Sequence, residues 1–231
     1  MPTATKKLLF LAASATSLGA VVVVCVILAT KEWVSTNVMC RRAGANNSIN
    51  GSIDMQYGLF EGFGSDGCVF GANKQFQVTN FLSSSSNLQG VHVIVILSLI
   101  ICLVCCTASS ITTFNNIGRN PSETFCGPIG VYTWNGISSI LSTLAMVLFA
   151  LNTELNGLSL HLAKEHTKHL EDLLLHSATD SYGYSFWITF VVIALNIITI
   201  CIAFAYEHRS YNRKQEQQIP IENAPRDVLM Y

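Results

Sequence analysis

The sequence predicts an all-α membrane fold, a bundle of four transmembrane helices with a small antiparallel β-sheet in the first loop outside the membrane. Two observations indicate this fold. First, 50% of the residues are hydrophobic and only 12% are charged, whereas about a quarter of the residues of a soluble domain are charged. Second, the apolar residues collect in four runs without any Asp, Glu, Lys or Arg, namely Leu8–Thr30, Val91–Phe114, Cys126–Leu151 and Tyr182–Tyr206.

Each apolar run is long enough to cross a bilayer as an α-helix. A helix of about 20 residues spans a hydrocarbon core of about 30 Å, and backbone groups inside lipid must be hydrogen-bonded within the segment. The runs lack the alternation of barrel strands and the amphipathic stripe of helices in a soluble bundle. We therefore expect residues 1–231 to form one domain embedded in the lipid bilayer.

The first run also has a feature of a signal peptide, because Lys6 and Lys7 precede it. Its apolar core is too long, however, and no small-x-small cleavage pattern stands before Lys31, so we expect it to be retained as a helix. The two lysines place the N-terminus in the cytoplasm. Four crossings return the polar C-terminal tail, residues 207–231, to the same side.

Small residues recur at four-residue spacing in the first two runs, where they allow close approach of neighbouring helices. These residues are Ala12, Thr16 and Ala20, Cys102, Cys106 and Ser110, and Cys105, Ser109 and Thr113. We expect such faces to hold the bundle together and to contact other membrane proteins. Asn135 and Asn196 are the most polar residues inside the runs, and interhelical hydrogen bonds explain them more simply than a conduction path.

The first outer loop, residues 31–90, is too long for a simple connection and is expected to fold. Segments that mix β-branched, aromatic and polar residues predict short strands at Glu32–Ala43, Asp54–Gly62, Gly67–Gly71 and Lys74–Phe81. Trp33 is expected at the outer membrane interface with its indole N–H in contact with water. Trp187, in the aromatic segment that opens the fourth run, is expected at the same interface.

Two cysteines, Cys40 and Cys68, lie outside the apolar runs, and both are in the first outer loop. In an oxidising compartment such a pair predicts a disulfide. Asn46 and Asn50 are each followed by an x-Ser pattern and are predicted glycosylation sites. Cys126 begins the third run at the cytoplasmic surface and is a candidate for palmitoylation, with an unmodified membrane-edge cysteine as the alternative.

The second outer loop, residues 152–181, carries leucines and histidines at helical spacing, which predicts that the third helix continues out of the membrane. Glu165, His166 and His169 have a spacing seen in metal sites, but a solvated helix has the same pattern, so we predict no metal or cofactor. The histidines allow a mild sensitivity to pH. No nucleophile–base pair or phosphate loop is apparent, so we predict no enzymatic activity, and we expect no nucleic-acid partner.

The chain ends in Leu229, Met230 and Tyr231, with apolar side chains at the last position and two positions before it. A PDZ domain accepts such a terminus as an added strand and binds its carboxylate. We therefore predict a PDZ-type scaffold as a cytoplasmic partner.

The motif Tyr57-Gly58-Leu59-Phe60, with a tryptophan and two cysteines in the same outer loop, resembles the claudin and peripheral-myelin-protein superfamily. Within it the chain resembles the clarins through Gly127-Pro128, Ser185-Phe186-Trp187 and its last three residues. The segments Gly130–Gly136, Ser181–Trp187 and Ala224–Asp227 resemble the third clarin paralogue in particular. The resemblance implies a four-helix plasma-membrane protein whose relatives serve sensory cells, membrane organisation and actin-rich structures. It departs from claudins at Phe60 and Glu61, which argues against a claudin-type barrier.

Together these observations predict a non-enzymatic, multi-pass protein of the plasma membrane that organises membrane partners or links the membrane to a cytoskeletal scaffold. Two other functions are consistent with the same features. One is an auxiliary subunit of a channel or transporter, and the other is a cell–cell adhesion or barrier module.

Overall fold

The computed structural model describes residues 4–42, 50–67, 74–118, 127–168 and 173–218. Four long helices form the bundle: α1 (Ala4–Ala29), α3 (Ser86–Gly118), α4 (Gly127–Glu154) and α6 (Tyr184–Gln218). All four are long and apolar enough to cross a membrane. In the bundle α1 packs against α3 and α6, and α4 packs against the same two helices. The predicted four-helix membrane fold is confirmed.

Each of the four helices continues beyond its uncharged run at one end or at both. The clearest case is α6, which carries twelve residues of the predicted tail, 207–218, as helix. The remaining tail residues, 219–231, lie outside the described part of the chain. The first half of the tail is helical because it continues α6, and an existing helix removes the cost of nucleation.

A five-stranded antiparallel sheet covers the end of the bundle where α1 ends and α3 begins. The first loop supplies four strands, β1 (Val34–Arg42), β2 (Asn50–Tyr57), β3 (Glu61–Asp66) and β4 (Lys74–Gln77), followed by the short helix α2 (Val78–Leu82). This confirms the predicted sheet. The boundaries differ in places, because β3 precedes the predicted segment at 67–71 and β4 is followed at once by α2.

The second outer loop does not continue the third helix, and that prediction is wrong. The helix α4 ends at Glu154, and Gly157 then adopts the left-handed region with φ 65° before a separate short helix, α5 (Leu158–His166). The chain next forms β5 (Leu173–Tyr182), which pairs with β1 and gives the strand order β4-β3-β2-β1-β5. His176 consequently lies on a strand, although its spacing suggested a helix.

One face of the sheet packs against the bundle. The alternation of buried and exposed side chains along β1 identifies this face. Val34, Thr36, Val38 and Cys40 are buried, whereas Ser35 and Met39 between them are exposed. Large side chains fill the space between the sheet and the helix ends, and those that are fully buried include Trp33, Tyr57, Phe149, Leu158 and Leu162. The sheet therefore forms a head with its own core, continuous with that of the bundle.

Many side chains at the centre of the bundle are small and polar, and they form hydrogen bonds between helices. Asn135 of α4 donates to the Oγ of Ser109 in α3 at 2.7 Å, and Asn196 of α6 donates to the Oγ of Ser138 in α4 at 2.8 Å. The predicted interhelical hydrogen bonds of the two asparagines are therefore present.

The small-residue faces of α1 and α3 are largely used within the same chain. Ala20, Cys102 and Cys106 are buried in the bundle, and the hydroxyl of Thr16 lies 2.8 Å from that of Thr199 on α6. Small side chains let these helices approach closely. Much of both faces is therefore covered by neighbouring helices of the same chain.

Candidate functional site at the junction of sheet and bundle

The motif Tyr57-Gly58-Leu59-Phe60 joins the sheet to three other elements. Tyr57, the last residue of β2, is completely buried, and its hydroxyl lies 2.7 Å from the Oγ of Ser159 in α5. Burial raises the pKa of this phenol, so it stays neutral. The carbonyl of Leu59 accepts a hydrogen bond from the Nε2 of His92 in α3 at 2.7 Å.

Glycine is required at position 58 because the chain crosses the end of α1 there. A Cβ at Gly58 would lie 2.3 Å from the carbonyl oxygen of Thr30 and 2.8 Å from the Cα of Lys31. Both neighbours are backbone atoms, which no change of side-chain rotamer can move away. The motif is therefore a structural clasp, from which Phe60 alone projects an exposed side chain.

Trp33 is completely buried inside this junction. Its ring packs between Phe149 of α4, with centroids 4.8 Å apart, and Phe186 of α6, at 6.3 Å. Its indole N–H donates to the carbonyl of Ile27 at 2.9 Å. The prediction that this N–H contacts water is wrong, because the last turn of α1 leaves carbonyl groups without helical donors and Trp33 folds back over them.

The beginning of α6 is fastened to the same place. The backbone N–H of Gly183 donates to the carbonyl of Trp33 at 2.9 Å, and the N–H of Ser185 donates to that of Glu32 at 3.2 Å. The hydroxyl of Ser185 also lies 2.7 Å from that of Thr30. The segment that enters the first outer loop and the segment that leaves the second therefore meet in one hydrogen-bonded junction.

Trp187 differs from Trp33, because 56% of its surface is exposed at the start of α6. It stacks on Phe190 one turn later, with ring centroids 5.8 Å apart. An exposed aromatic pair at the end of a membrane helix is typical of the lipid–water interface. The interface position of Trp187 stays a prediction.

The outward face of the sheet is mainly polar, with a few exposed apolar side chains. Ser35, Asp54, Gln56, Phe63 and Ser65 line a shallow groove on it. Lys31 lies over the ring of Phe63 at 4.6 Å and forms an ion pair with Glu61. That ammonium group holds the pKa of the Glu61 carboxyl below its usual value. The face is thus open to a partner outside the membrane.

The predicted modification sites are only partly within the described residues. Cys40 is buried in β1, and Asn50 begins β2 opposite Arg41 at the end of the sheet remote from the bundle. Cys68, Asn46, Cys126 and the terminal residues Leu229, Met230 and Tyr231 lie outside the described residues. The disulfide, the glycans, the palmitoyl group and the PDZ-binding terminus stay predictions.

The histidine segment of the second loop contributes to packing. The ring of His166, in α5, lies 5.5 Å from Phe76 and 6.3 Å from Phe81, in an aromatic cluster beneath β4. His169 lies outside the described residues. Within the described ranges, no three His, Cys, Asp or Glu side chains are placed to hold a metal ion.

One outward surface of α4 combines small residues with a shallow, open groove. Ser139, Ile140, Thr143, Leu144 and Val147 line it. The hydroxyls of Ser139 and Thr143 donate to carbonyls of their own helix, both at 2.9 Å. Because those donors are satisfied, the groove presents small side chains without an unmet polar group. The sequence shows the Ser139/Thr143 pair, but only the packing shows that it faces outward while Ser138 and Ser142 face inward.

Comparison with known proteins places these features in a family. Residues 5–203 match the family model described as "Clarin-2-like". Over 100% of both chains, the sequence is 44% identical to Clarin-3 of Mus musculus and 40% identical to Clarin-3 of Homo sapiens. It is 29% identical to Clarin-1 of Homo sapiens over 82% of this chain and 83% of the relative.

Proposed function

The chain belongs to the clarin family of multi-pass membrane proteins, and we propose that it organises other membrane proteins laterally in the plasma membrane and links them to a cytoplasmic scaffold. The role is non-enzymatic, since neither the matching family model nor the similar proteins carry the name of an enzyme. The function is one of binding, and it requires surfaces that the fold leaves open.

The observation that carries the proposal is the groove on α4. Association of helices in lipid depends on close packing, which small residues allow. The small-residue faces of α1 and α3 are largely used inside the bundle, whereas Ser139 and Thr143 lie on the surface of α4 that lines the groove. We propose that a transmembrane helix of a partner packs here.

The position of the sheet supports one orientation in the membrane. The sheet lies at the ends of α1 and α4 and at the beginnings of α3 and α6, so all connections to it are at one side of the bundle. The sequon asparagine Asn50 is in that sheet, and glycans are added outside the cytoplasm. We infer from this that both termini lie in the cytoplasm, where the predicted terminus Leu229–Tyr231 meets a PDZ-type scaffold.

The groove is tested by filling it. We expect the double variant Ser139→Leu and Thr143→Leu to reach the cell surface and to keep its thermal stability, because the added side chains face lipid. Quantitative co-purification from membranes of a tissue that expresses the protein should show a loss of bound membrane proteins. Thr107→Leu is the matched control, since that hydroxyl also donates to its own helix, to Val104 at 2.8 Å, outside the groove.

The outcomes separate the rival functions. Loss of several membrane proteins from the groove variant supports a lateral organiser. Loss of one channel, with a change in its current, identifies an auxiliary subunit instead. Partners that are unchanged by the groove variant, together with aggregation of cells that express only this protein, indicate adhesion through the head. Deletion of Leu229–Tyr231 should remove a cytoplasmic partner and leave the membrane partners bound. If no cytoplasmic partner is lost, the proposed link to a scaffold is wrong.

A further inference from the structure

We propose that the end of the bundle opposite the sheet binds anionic phospholipids, with the exposed side chains of Lys7 in α1 and Arg209 in α6 in contact with the lipid phosphate groups. This surface is separate from the groove on α4 and from the head. The proposal rests on the orientation inferred above, which puts this end at the cytoplasmic leaflet, where anionic lipids collect. It does not depend on the organising function.

Lys7 and Arg209 lie at the same depth on neighbouring helices. The ring of Phe10 in α1 packs edge-on against that of Tyr206 in α6, with centroids 4.8 Å apart. Lys7 is three residues from Phe10, and Arg209 is three residues from Tyr206, both in the direction away from the sheet. Three residues of helix rise about 4.5 Å, and the headgroup layer on each side of a bilayer is about 5–7 Å thick. Since Tyr206 ends the fourth uncharged run, both basic side chains are at the level of the lipid phosphates.

The nearest acidic residue of α6 is turned away from Arg209. Glu207 accepts a hydrogen bond from the hydroxyl of Tyr132 in α4 at 2.9 Å. Two residues of an α-helix turn by about 200°, so Arg209 is on the other side of α6 from this contact. Lys6 is only 3% exposed, and its Nζ lies over the ring of Phe10 at 5.7 Å. It adds positive charge at this end without being a direct contact of the lipid.

The two ends of the described part of the chain differ in charge. At the end away from the sheet, α1 and α6 carry five basic and two acidic residues, namely Lys6, Lys7, Arg209, Arg213 and Lys214 against Glu207 and Glu216. The described residues of the head and of the helix ends that adjoin it carry six basic and seven acidic residues. A cluster of four to eight Lys or Arg directly beyond a membrane helix is typical of proteins that bind anionic lipids. Charge complementarity therefore favours an anionic partner at this end of the bundle.

An exposed aromatic face on the same stretch of α6 favours a lipid surface over a soluble anion or an acidic protein. Phe204 is 64% exposed, and Tyr211, seven residues later and on the same side of the helix, is 60% exposed. The ring of His208 stacks on that of Phe204 between them, with centroids 6.4 Å apart. Aromatic residues with a polar tip collect where a membrane helix meets the headgroups. We conclude that this stretch of α6 passes through the headgroup layer, which brings its basic residues to the lipid phosphates.

The test compares spin-labelled phosphatidylserine with spin-labelled phosphatidylcholine around the purified full-length chain in phosphatidylcholine bilayers. Electron spin resonance distinguishes lipids held by the protein from free lipids and gives the ratio of the two association constants. We expect a preference for phosphatidylserine of about fivefold or more, since each basic residue near the surface contributes a factor of about five. Raising sodium chloride from about 0.1 to 1 M shortens the Debye length from about 10 to 3 Å and should remove most of this preference. Both leaflets contain the probe, so the result does not depend on the orientation of the chain.

Three variants and one control locate the site. Lys7→Gln and Arg209→Gln should each lower the preference for phosphatidylserine, and the double variant should bring the ratio close to one. Both positions are exposed, so the Tm of these variants should be unchanged. Lys164→Gln removes the same charge from an exposed position of the head. It is the matched control and should bind like the unchanged chain.

Four results would overturn the proposal. Equal binding of the two lipids by the unchanged chain would leave an acidic protein as the partner of this end. Loss of the preference on addition of inorganic phosphate at constant ionic strength would indicate a site for a free anion. The other two are an unchanged preference in the folded double variant and an equal loss in Lys164→Gln. Because none of these measurements involves a partner protein, their failure leaves the organising function standing, and glycosidase digestion tests the orientation separately.

Discussion

The hydroxyl of Tyr57 lies 2.7 Å from that of Ser159, and this hydrogen bond joins the first outer loop to the second beneath the sheet. Both side chains are fully or almost fully buried. Neither oxygen has access to water, so the interaction holds β2 to α5 more effectively than an exposed one. The two loops are thus parts of one head.

We expect Tyr57→Phe to lower the stability of the head by about 1–3 kcal/mol, because the buried Ser159 hydroxyl loses its hydrogen bond to the phenol. Thermal unfolding of the purified chain measures this change. Tyr184→Phe, at an exposed position on α6, is the control and should be close to neutral. If Tyr57→Phe and Tyr184→Phe unfold at the same temperature, the hydrogen bond does not contribute to stability.

Trp33 is expected to be far more sensitive than Trp187. Trp33→Ala removes a completely buried ring and should cost about 3–5 kcal/mol. Trp33→Phe keeps much of the packing but loses the donor to Ile27, which should cost about 1 kcal/mol. Surface delivery and thermal unfolding report both effects. Equal behaviour of Trp33→Ala and Trp187→Ala would contradict the buried position of Trp33.

Gly58→Ala should prevent correct folding of the head, because the new Cβ would meet backbone atoms of Thr30 and Lys31. The readout is the amount of protein that leaves the early secretory pathway. Gly136→Ala is a useful comparison, since a Cβ there has no atom within 4 Å and the residue is helical. That substitution should be neutral or stabilise α4 by about 0.5–1 kcal/mol.

The predicted bond between Cys40 and Cys68 should stabilise the head by about 3–4 kcal/mol on the chain-entropy model. Cys40→Ser and Cys68→Ser are therefore expected to be retained early in secretion. The double variant should behave like either single one, because each removes the same bond. Normal surface delivery of both single variants would argue against the pairing.

Digestion with a glycosidase tests the two sequons. We expect a faster gel mobility after digestion, and a smaller shift for Asn46→Gln or Asn50→Gln alone. Asn50 is in the head, so its modification also reports which side of the membrane the sheet occupies. An unchanged mobility of the mature protein would refute glycosylation at both positions.

The transmembrane architecture could be predicted from the sequence because it depends on composition over short stretches. Charged residues cannot be buried in lipid without a large cost, so their absence from four runs shows where the helices cross. The first four strands were also detectable as a set, since they lie in one long loop between turn-forming residues. Their exact ends were not, because these depend on the pairing with neighbouring strands.

The fifth strand was missed for a physical reason. Leu173–Tyr182 has leucines and a histidine at spacings that suit a helix, and its strand conformation depends on β1, a partner far away in the sequence. Contact with that edge satisfies the backbone hydrogen bonds of β5, and this long-range pairing outweighs local preference.

The sequence by itself determined that this chain crosses the membrane four times and carries a folded loop with clarin motifs, because these properties follow from the identity and order of nearby residues. The tertiary structure decided which way each side chain points. Trp33 is buried, although its amphipathic indole ring suggested the membrane surface. Its N–H donates to a carbonyl at the end of α1 that has no helical donor. In the same way, Ser139 and Thr143 point outward, whereas Ser138 and Ser142 point into the bundle. The packing of four helices leaves one face of each helix uncovered.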